Sequence, residues 1–295
     1  MRQKRFVTVA LFLVGIMMTS CGLIVTKAQK QEADERMEAI REARDYERML
    51  VVADSLERAK WLSTAKACYW RGYAYDRLKQ PDKAADYWTK AMEASEHSKD
   101  EGDQNIYVKA ASRLANQLVL KGDFEGTLKV AQPVAKRLQE EQRDTTSDYQ
   151  NLLIYIGCSL AVTGKSLVEA EDNFTRAFNN HMANIEKTHS DEAYKDAIAG
   201  LINIAYYCVT AKNYRYALHY TRHFGELLGE YEQRPGVNPD YIDRQLGRYD
   251  IYKAQAQKGL GRKAEAAETY AAFQETKFSK TPEGQSLAED YLASE

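Results

Sequence analysis

The chain has 295 residues, with 44% hydrophobic and 28% charged positions and a formal net charge of −2. That size allows one large domain or two small ones, and the charge balance excludes a general nucleic-acid binder, which would be clearly basic. Five prolines and sixteen glycines favour long helices over a loop-rich or all-β chain, and twenty tyrosines suit helix seams and binding faces. The four cysteines, Cys21, Cys68, Cys158 and Cys208, show no CxxC pair. The last three lie in apolar helical stretches and are expected as buried free thiols.

The first residues, MRQKRFVTVALFLVGIMMTSCG, join a basic start (Arg2, Lys4, Arg5) to an apolar run from Phe6 to Met18. This is the layout of a bacterial export signal. The segment MTSC resembles a lipobox, with Met18 where leucine is usual. That resemblance implies cleavage before Cys21 and its lipidation. Two alternatives stay open. Phe6 to Thr26 is long enough for an uncleaved membrane span, and TKA (Thr26 to Ala28) could be an ordinary signal-peptidase site. All three place the remainder outside the cytoplasm, in the cell envelope, and the lack of an acidic surface-export run after Cys21 favours facing the periplasm. Residues 1–21 are thus expected as signal or anchor. Residues 22–58 read as a charged helical stalk or capping helix, with apolar Met37, Ile40, Met49, Leu50, Val51 and Leu56. Residues 59–295 read as a repeat domain.

In WRGYAYDRLKQPDKAADYWTKAM, residues 70–92, Gly72, Tyr75, Ala84, Trp88 and Ala91 fall at fixed offsets. The stretch predicts helices over Ala67–Lys79 and Pro81–Glu96, with Pro81 in a first helical turn. The second-helix half recurs four times: Gly122, Phe124, Thr127, Ala131 and Val134; Ala170, Phe174 and Ala177, with one residue added in the turn; Tyr214, Ala217, Thr221 and Phe224; Gly261, Ala266, Tyr270 and Phe273. The pattern resembles the tetratricopeptide repeat (TPR), in which these positions form the seam between paired helices. The anchors Ala84, Thr127, Ala170, Ala217 and Ala266 lie 43, 43, 47 and 49 residues apart, against about 34 for the typical repeat. Longer helices or connections are required, and SEHSKDEGDQN and EQRPGVNPD are expected to absorb much of the excess. TPEGQSLAEDYLASE reads as the first helix of a further hairpin, with Leu287, Ala288, Tyr291 and Leu292 as its packing face.

No catalytic constellation emerges. His219 and His223 share a helical face, but HYTRH holds no glutamate base and no third ligand is evident, so a solvated or packing role is expected. VTGKS lacks the leading glycine and the strand of a phosphate loop, and NFT at Asn173 matches a glycosylation acceptor that a bacterial signal makes irrelevant. No cofactor, metal or enzymatic activity is expected.

The TPR resemblance implies an all-α fold, a right-handed superhelical array of about five hairpins with long repeats. Its concave groove would bind a protein or peptide partner. Carried over by that resemblance, the groove positions are Tyr69, Tyr73, Asp76 and Arg77; Lys109, Ser112 and Asn116; Asn151; Tyr206; and Arg248, Gln255 and Lys258. The expected function is a non-catalytic, membrane-anchored interaction scaffold. The C-terminal part is also similar to the sensory region of TPR-containing membrane histidine kinases, which makes a sensory fragment of a longer regulator the alternative.

Overall fold

The computed structural model describes residues 25–294. The expected signal, lipobox and anchor, with Cys21, lie outside the described residues. Among those described there are thirteen α-helices and no strand. They are α1 Lys27–Glu42, α2 Tyr46–Arg58, α3 Thr64–Arg77, α4 Pro81–Ser95, α5 Glu101–Leu120, α6 Phe124–Glu140, α7 Ser147–Thr163, α8 Leu167–Thr188, α9 Asp191–Thr210, α10 Tyr214–Glu232, α11 Pro239–Gly259, α12 Lys263–Glu275 and α13 Pro282–Ala293. A short 3₁₀ turn, Phe278–Lys280, precedes α13. The chain divides into two compact units, Met1–Ala110 and Ala111–Glu295, with the boundary inside α5.

Local chemistry sets the helix ends. Side chains of Asp45, Ser63, Asp123, Thr146, Ser166, Ser190, Asn238 and Thr281 each accept a first-turn backbone N–H, which satisfies a donor the helix leaves open. Thr26 and Gln29 form a reciprocal capping box at α1. Each hairpin turns on a single left-handed residue: Arg44, Lys79, Gly122, Gly164, Lys212 or Gly261, with φ between 55° and 76°. Except after Gly164, the following N–H closes back on the preceding helix, as in Gln80 N to Tyr75 O at 2.9 Å and Asp123 N to Leu118 O at 2.8 Å. This helix-ending motif satisfies the last carbonyls and reverses the chain in two residues. In the α7–α8 turn Lys165 stands between the left-handed Gly164 and the N-cap Ser166, the one added residue expected there.

The repeat seam follows from size complementarity. Ala84, Thr127, Ala170, Ala217 and Ala266 are all buried. Twelve residues before four of them, and thirteen before Ala170, stand Gly72, Ala115, Gly157, Ala205 and Ala254, also buried. A Cβ on Gly72 would lie 2.6 Å from the Trp88 indole, and one on Gly157 would lie 2.6 Å from the Phe174 ring. The helices approach closely because these positions carry no side chain, and the aromatic ring fills the hole.

In the first unit α1 packs on α2, α2 on α3, and α3 on α4. Of the two readings of this segment, stalk or capping helix, the packing goes with the second: 27–58 is a helical hairpin laid on α3. It keeps the frame of its neighbour: Met37, Met49, Ala53 and Leu56 occupy the positions of Gly72, Ala84, Trp88 and Ala91, and all four are buried. This adds one hairpin to the five read from sequence. Val51, one of the apolar residues noted there, is 68% exposed. Lys66 Nζ bonds Asp34 at 2.6 Å, and Arg71 bridges Asp54 and Glu57 at 2.6 and 2.5 Å, tying α3 to α1 and α2.

In the second unit the first helices α7, α9, α11 and α13 stack successively, with α8, α10 and α12 packed behind them. The additional repeat length sits mainly in the helices. α8, α9, α10 and α11 have 22, 20, 19 and 21 residues, against 14 and 15 for α3 and α4. SEHSKDEGDQN is a connection only to Asp100, and its remainder is the start of α5. Cys68, Cys158 and Cys208 are buried free thiols, and burial pushes Cys208 up to about 12.

Candidate functional site

In the first helices of the hairpins, the residue three before the small seam position is buried throughout: Tyr69, Ser112, Ile154, Ile202 and Ile251. This register faces the core. Ser112, expected in the groove, is only 5% exposed, so its short side chain is part of the packed interior. Tyr69 is likewise buried against Trp70, with ring centroids 5.6 Å apart. The register one residue after the small position is the accessible one. It holds Tyr73, Asn116, Tyr206 and Gln255, although Cys158 occupies it in α7 and is buried.

The first unit holds Tyr69, Tyr73, Asp76, Arg77 and Lys109. Tyr73 makes edge contacts with Trp70 and with Tyr46 of α2, and the Arg77 guanidinium lies 5.1 Å from the Tyr73 ring centre. Tyr73 and Asp76 are half-buried, and Arg77 and Lys109 are exposed. In the second unit Asn116 and Asn151 are half-buried. Arg248 and Lys258 are used within the chain to dock α13. Arg248 pairs with Glu283 at 2.5 Å, joined by Arg244 at 2.7 Å. Burial opposes ionisation of Glu283, but hydrogen bonds from Arg248 and Arg244 hold its carboxyl below the usual range. Lys258 Nζ donates to the Tyr291 carbonyl at 2.9 Å and lies over the Tyr291 ring. Tyr291 stacks on Tyr270, with centroids 4.3 Å apart. Leu292, expected on this packing face, is instead 65% exposed, because Tyr291 is the residue turned inward.

Tyr206 and Gln255 come together. They line an open cleft of about 350 Å³ with Val209, Thr210, Lys212, Tyr214, Gly259 and, from α13, Leu287, Asp290 and Ser294. Tyr206 is 37% exposed and is held by rings of Tyr207 and Tyr252 at 4.9 and 5.9 Å. Burial raises the Tyr207 and Tyr252 phenols well above the usual value, so both stay neutral. Gly259 lets the Tyr214 ring lie directly against the α11 backbone. The lining joins aromatic and aliphatic area to one cation, one carboxylate, an amide and hydroxyls, a set that suits an extended polypeptide. Lys212 and Asp290 were not read from sequence, and Leu287 was read only as part of the packing face of α13. Lys212 belongs to the left-handed hairpin turn, and the α13 pair depends on how that helix docks.

Among the described residues no three His, Cys, Asp or Glu side chains are grouped to hold a metal, and no helix is long and apolar enough to cross a membrane. His219 and His223 do meet, with centroids 4.7 Å apart, and His223 packs on Phe178 and bonds Glu226 at 3.2 Å.

No family model matches the sequence, and no curated protein matches it. Solved structures do match. The apo form of RapI aligns with a TM-score of 0.53 at 13% identity, over 88% of this chain and 99% of that one. A Podosopora anserina kinesin light chain protein with nearly identical TPR-like repeats aligns at 0.50 and 13% identity, over 75% and 97%. Its Q17M form gives 0.51 and 12%, over 72% and 93%. At these identities the likeness shows the fold: an all-α array of TPR-like helical hairpins.

Proposed function

We propose that this chain is a non-catalytic interaction scaffold that holds an extended segment of a protein partner in the cleft formed by α9, α11 and α13. The supporting observation is the convergence of Tyr206 and Gln255 with Lys212, Leu287 and Asp290 around one open cleft. Aromatic area supplies contact, and the separated cation, amide and carboxylate fix direction along a peptide backbone. A displayed random-peptide library panned on the full chain tests the reading. Enriched peptides should lose binding to Tyr206→Ala and Gln255→Ala while the variants keep their helical signal. Enrichment that ignores both variants would remove the cleft from the account.

The scaffold is further proposed to act on the outer side of a bacterial membrane, anchored through a lipidated Cys21, a reading supported by the signal-like N-terminal sequence. The mass of the native protein in the membrane fraction, with and without a block on lipoprotein processing, tests the anchor. A shift that Cys21→Ser abolishes is the expected result. An unshifted band would contradict lipidation, and a much larger product would favour the sensory-region alternative.

A further inference from the structure

The repeat places equivalent cups along the outer face of the second unit, each made by the start of a second helix and the turn of the next hairpin. One, of about 390 Å³, is lined by Glu125, Leu128, Lys129 and Gln132 of α6 with Leu160, Lys165, Ser166 and Glu169. Its charges balance, two basic against two acidic, and one pair closes across it: Lys165 Nζ reaches Glu125 at 2.6 Å. The Ser166 side chain caps the N-terminus of α8.

The second cup, of about 530 Å³, is lined by Arg215, Leu218, His219 and Arg222 of α10 with Leu260 and Arg262 of the next turn. Counted from the anchors Thr127 and Ala217, Arg215 stands where Glu125 does, His219 where Lys129 does and Arg222 where Gln132 does. Arg262 takes the part of Lys165 in the turn. The cross-cup ion pair is thus replaced by two guanidiniums, and no carboxylate lines the cavity. Arg262 is also the N-cap residue of α12, a 13-residue helix whose N-terminus no side chain caps. Its first-turn N–H groups and dipole add to the positive field. Three acids stand near the cup without lining it: Glu226 at 3.9 Å from Arg222, Glu265 at 3.8 Å from Arg262, and Glu171, which accepts from the Tyr216 hydroxyl and acts on His219; the two exposed surface pairs hold little energy.

We propose that this cup is a binding site for a phosphate-class oxyanion, held by Arg215, Arg222, Arg262 and His219 over a floor of Leu218 and Leu260. Guanidiniums match a phosphoryl group through paired N–H bonds, and the leucines offer room for the organic part of a phosphomonoester. His219 is a built-in reporter. Burial, then the charges of His223 and Arg222, lower its pKa against the opposite pull of Glu171 and Glu226, so a bound dianion must raise it. The site is independent of the cleft reading.

The test is histidine NMR on the full chain across pH, with inorganic phosphate and with phenyl phosphate. The expected result is an upward pKa shift of His219 that saturates, while the exposed His97 is unmoved. Arg215→Glu, which restores the Glu125–Lys165 arrangement with Arg262, should weaken binding at least about tenfold without loss of helical signal. Arg262→Ala should weaken it in the same direction. Tighter binding of phenyl phosphate would identify a phosphomonoester as the ligand class, and equal binding the free ion. An unmoved His219, a parallel shift of His97, or undiminished binding in Arg215→Glu would overturn the proposal.

Discussion

The α1–α2 and α3–α4 hairpins share one frame and fill it in opposite ways. In α3–α4 the first helix supplies a hole, Gly72, and the second supplies the filler, Trp88. In α1–α2 the first helix supplies Met37, the second supplies Met49 and Ala53, and all three are buried. What the fold conserves across its hairpins is a filled volume at a fixed crossing, and either helix can provide it. A third version is polar. At the α8–α9 contact the hole is Gly200 and the filler is His181, whose ring nitrogens have no hydrogen-bond partner within the protein.

The largest effect should come from emptying a seam. Trp88→Ala is expected to destabilise by about 3–5 kcal/mol and Met37→Ala by about 2–5 kcal/mol in denaturant unfolding. If Met37→Ala were silent, the two hairpins would not be packed alike.

The polar filler gives a pH signature. Burial holds His181 at about 4 against an ordinary 6.5. Above pH 6.5 it is neutral in both states and contributes nothing. As pH falls from 6.5 towards 4 the unfolded chain takes up a proton that the folded chain refuses, so stability declines, by about 3 kcal/mol in total. Asp250, raised by burial to about 6 despite Lys253, acts in the opposite sense, because its folded form binds the proton first. The clean readout is therefore the difference between the wild type and His181→Gln. The wild type should lose more stability between pH 6.5 and 4, and equal slopes would refute a buried neutral imidazole.

A swap sharpens the comparison further. Gly72→Met combined with Trp88→Ala converts the α3–α4 crossing towards the α1–α2 solution. Each change alone should destabilise, and the double variant should recover about 1–3 kcal/mol relative to their sum. Strict additivity would mean that the residues do not fill one space. The smallest effect lies in the turns. Lys79→Gly should stabilise by about 1 kcal/mol, since lysine there holds a left-handed backbone at φ 59°, and Gly122→Ala should cost a similar amount.

Five hairpins were legible because small and aromatic residues recur at helical offsets around Ala84, Thr127, Ala170, Ala217 and Ala266. The hairpin of α1 and α2 was not, since a search for small anchors passes over Met37 and Met49, and a charged outer surface reads as a solvated stalk. What register alone made legible is which positions are accessible. Tyr206 and Gln255 follow their small residues by one position and face the cleft, whereas Ser112 precedes Ala115 by three and faces the core. Arg248 and Lys258 were misjudged for another reason. Their partners, Glu283 and Tyr291, are set by the docking of α13, which no offset within a single hairpin encodes.

The central claim is that the α9–α11–α13 cleft is where a partner is held. Its most direct test is a photocrosslinking residue placed at Tyr206, with a control at exposed Val168 on α8, in cells that make the protein. The account predicts a discrete adduct from position 206, weakened by Gln255→Ala and absent at 168. No adduct at 206, or the same adduct at both positions, would contradict it.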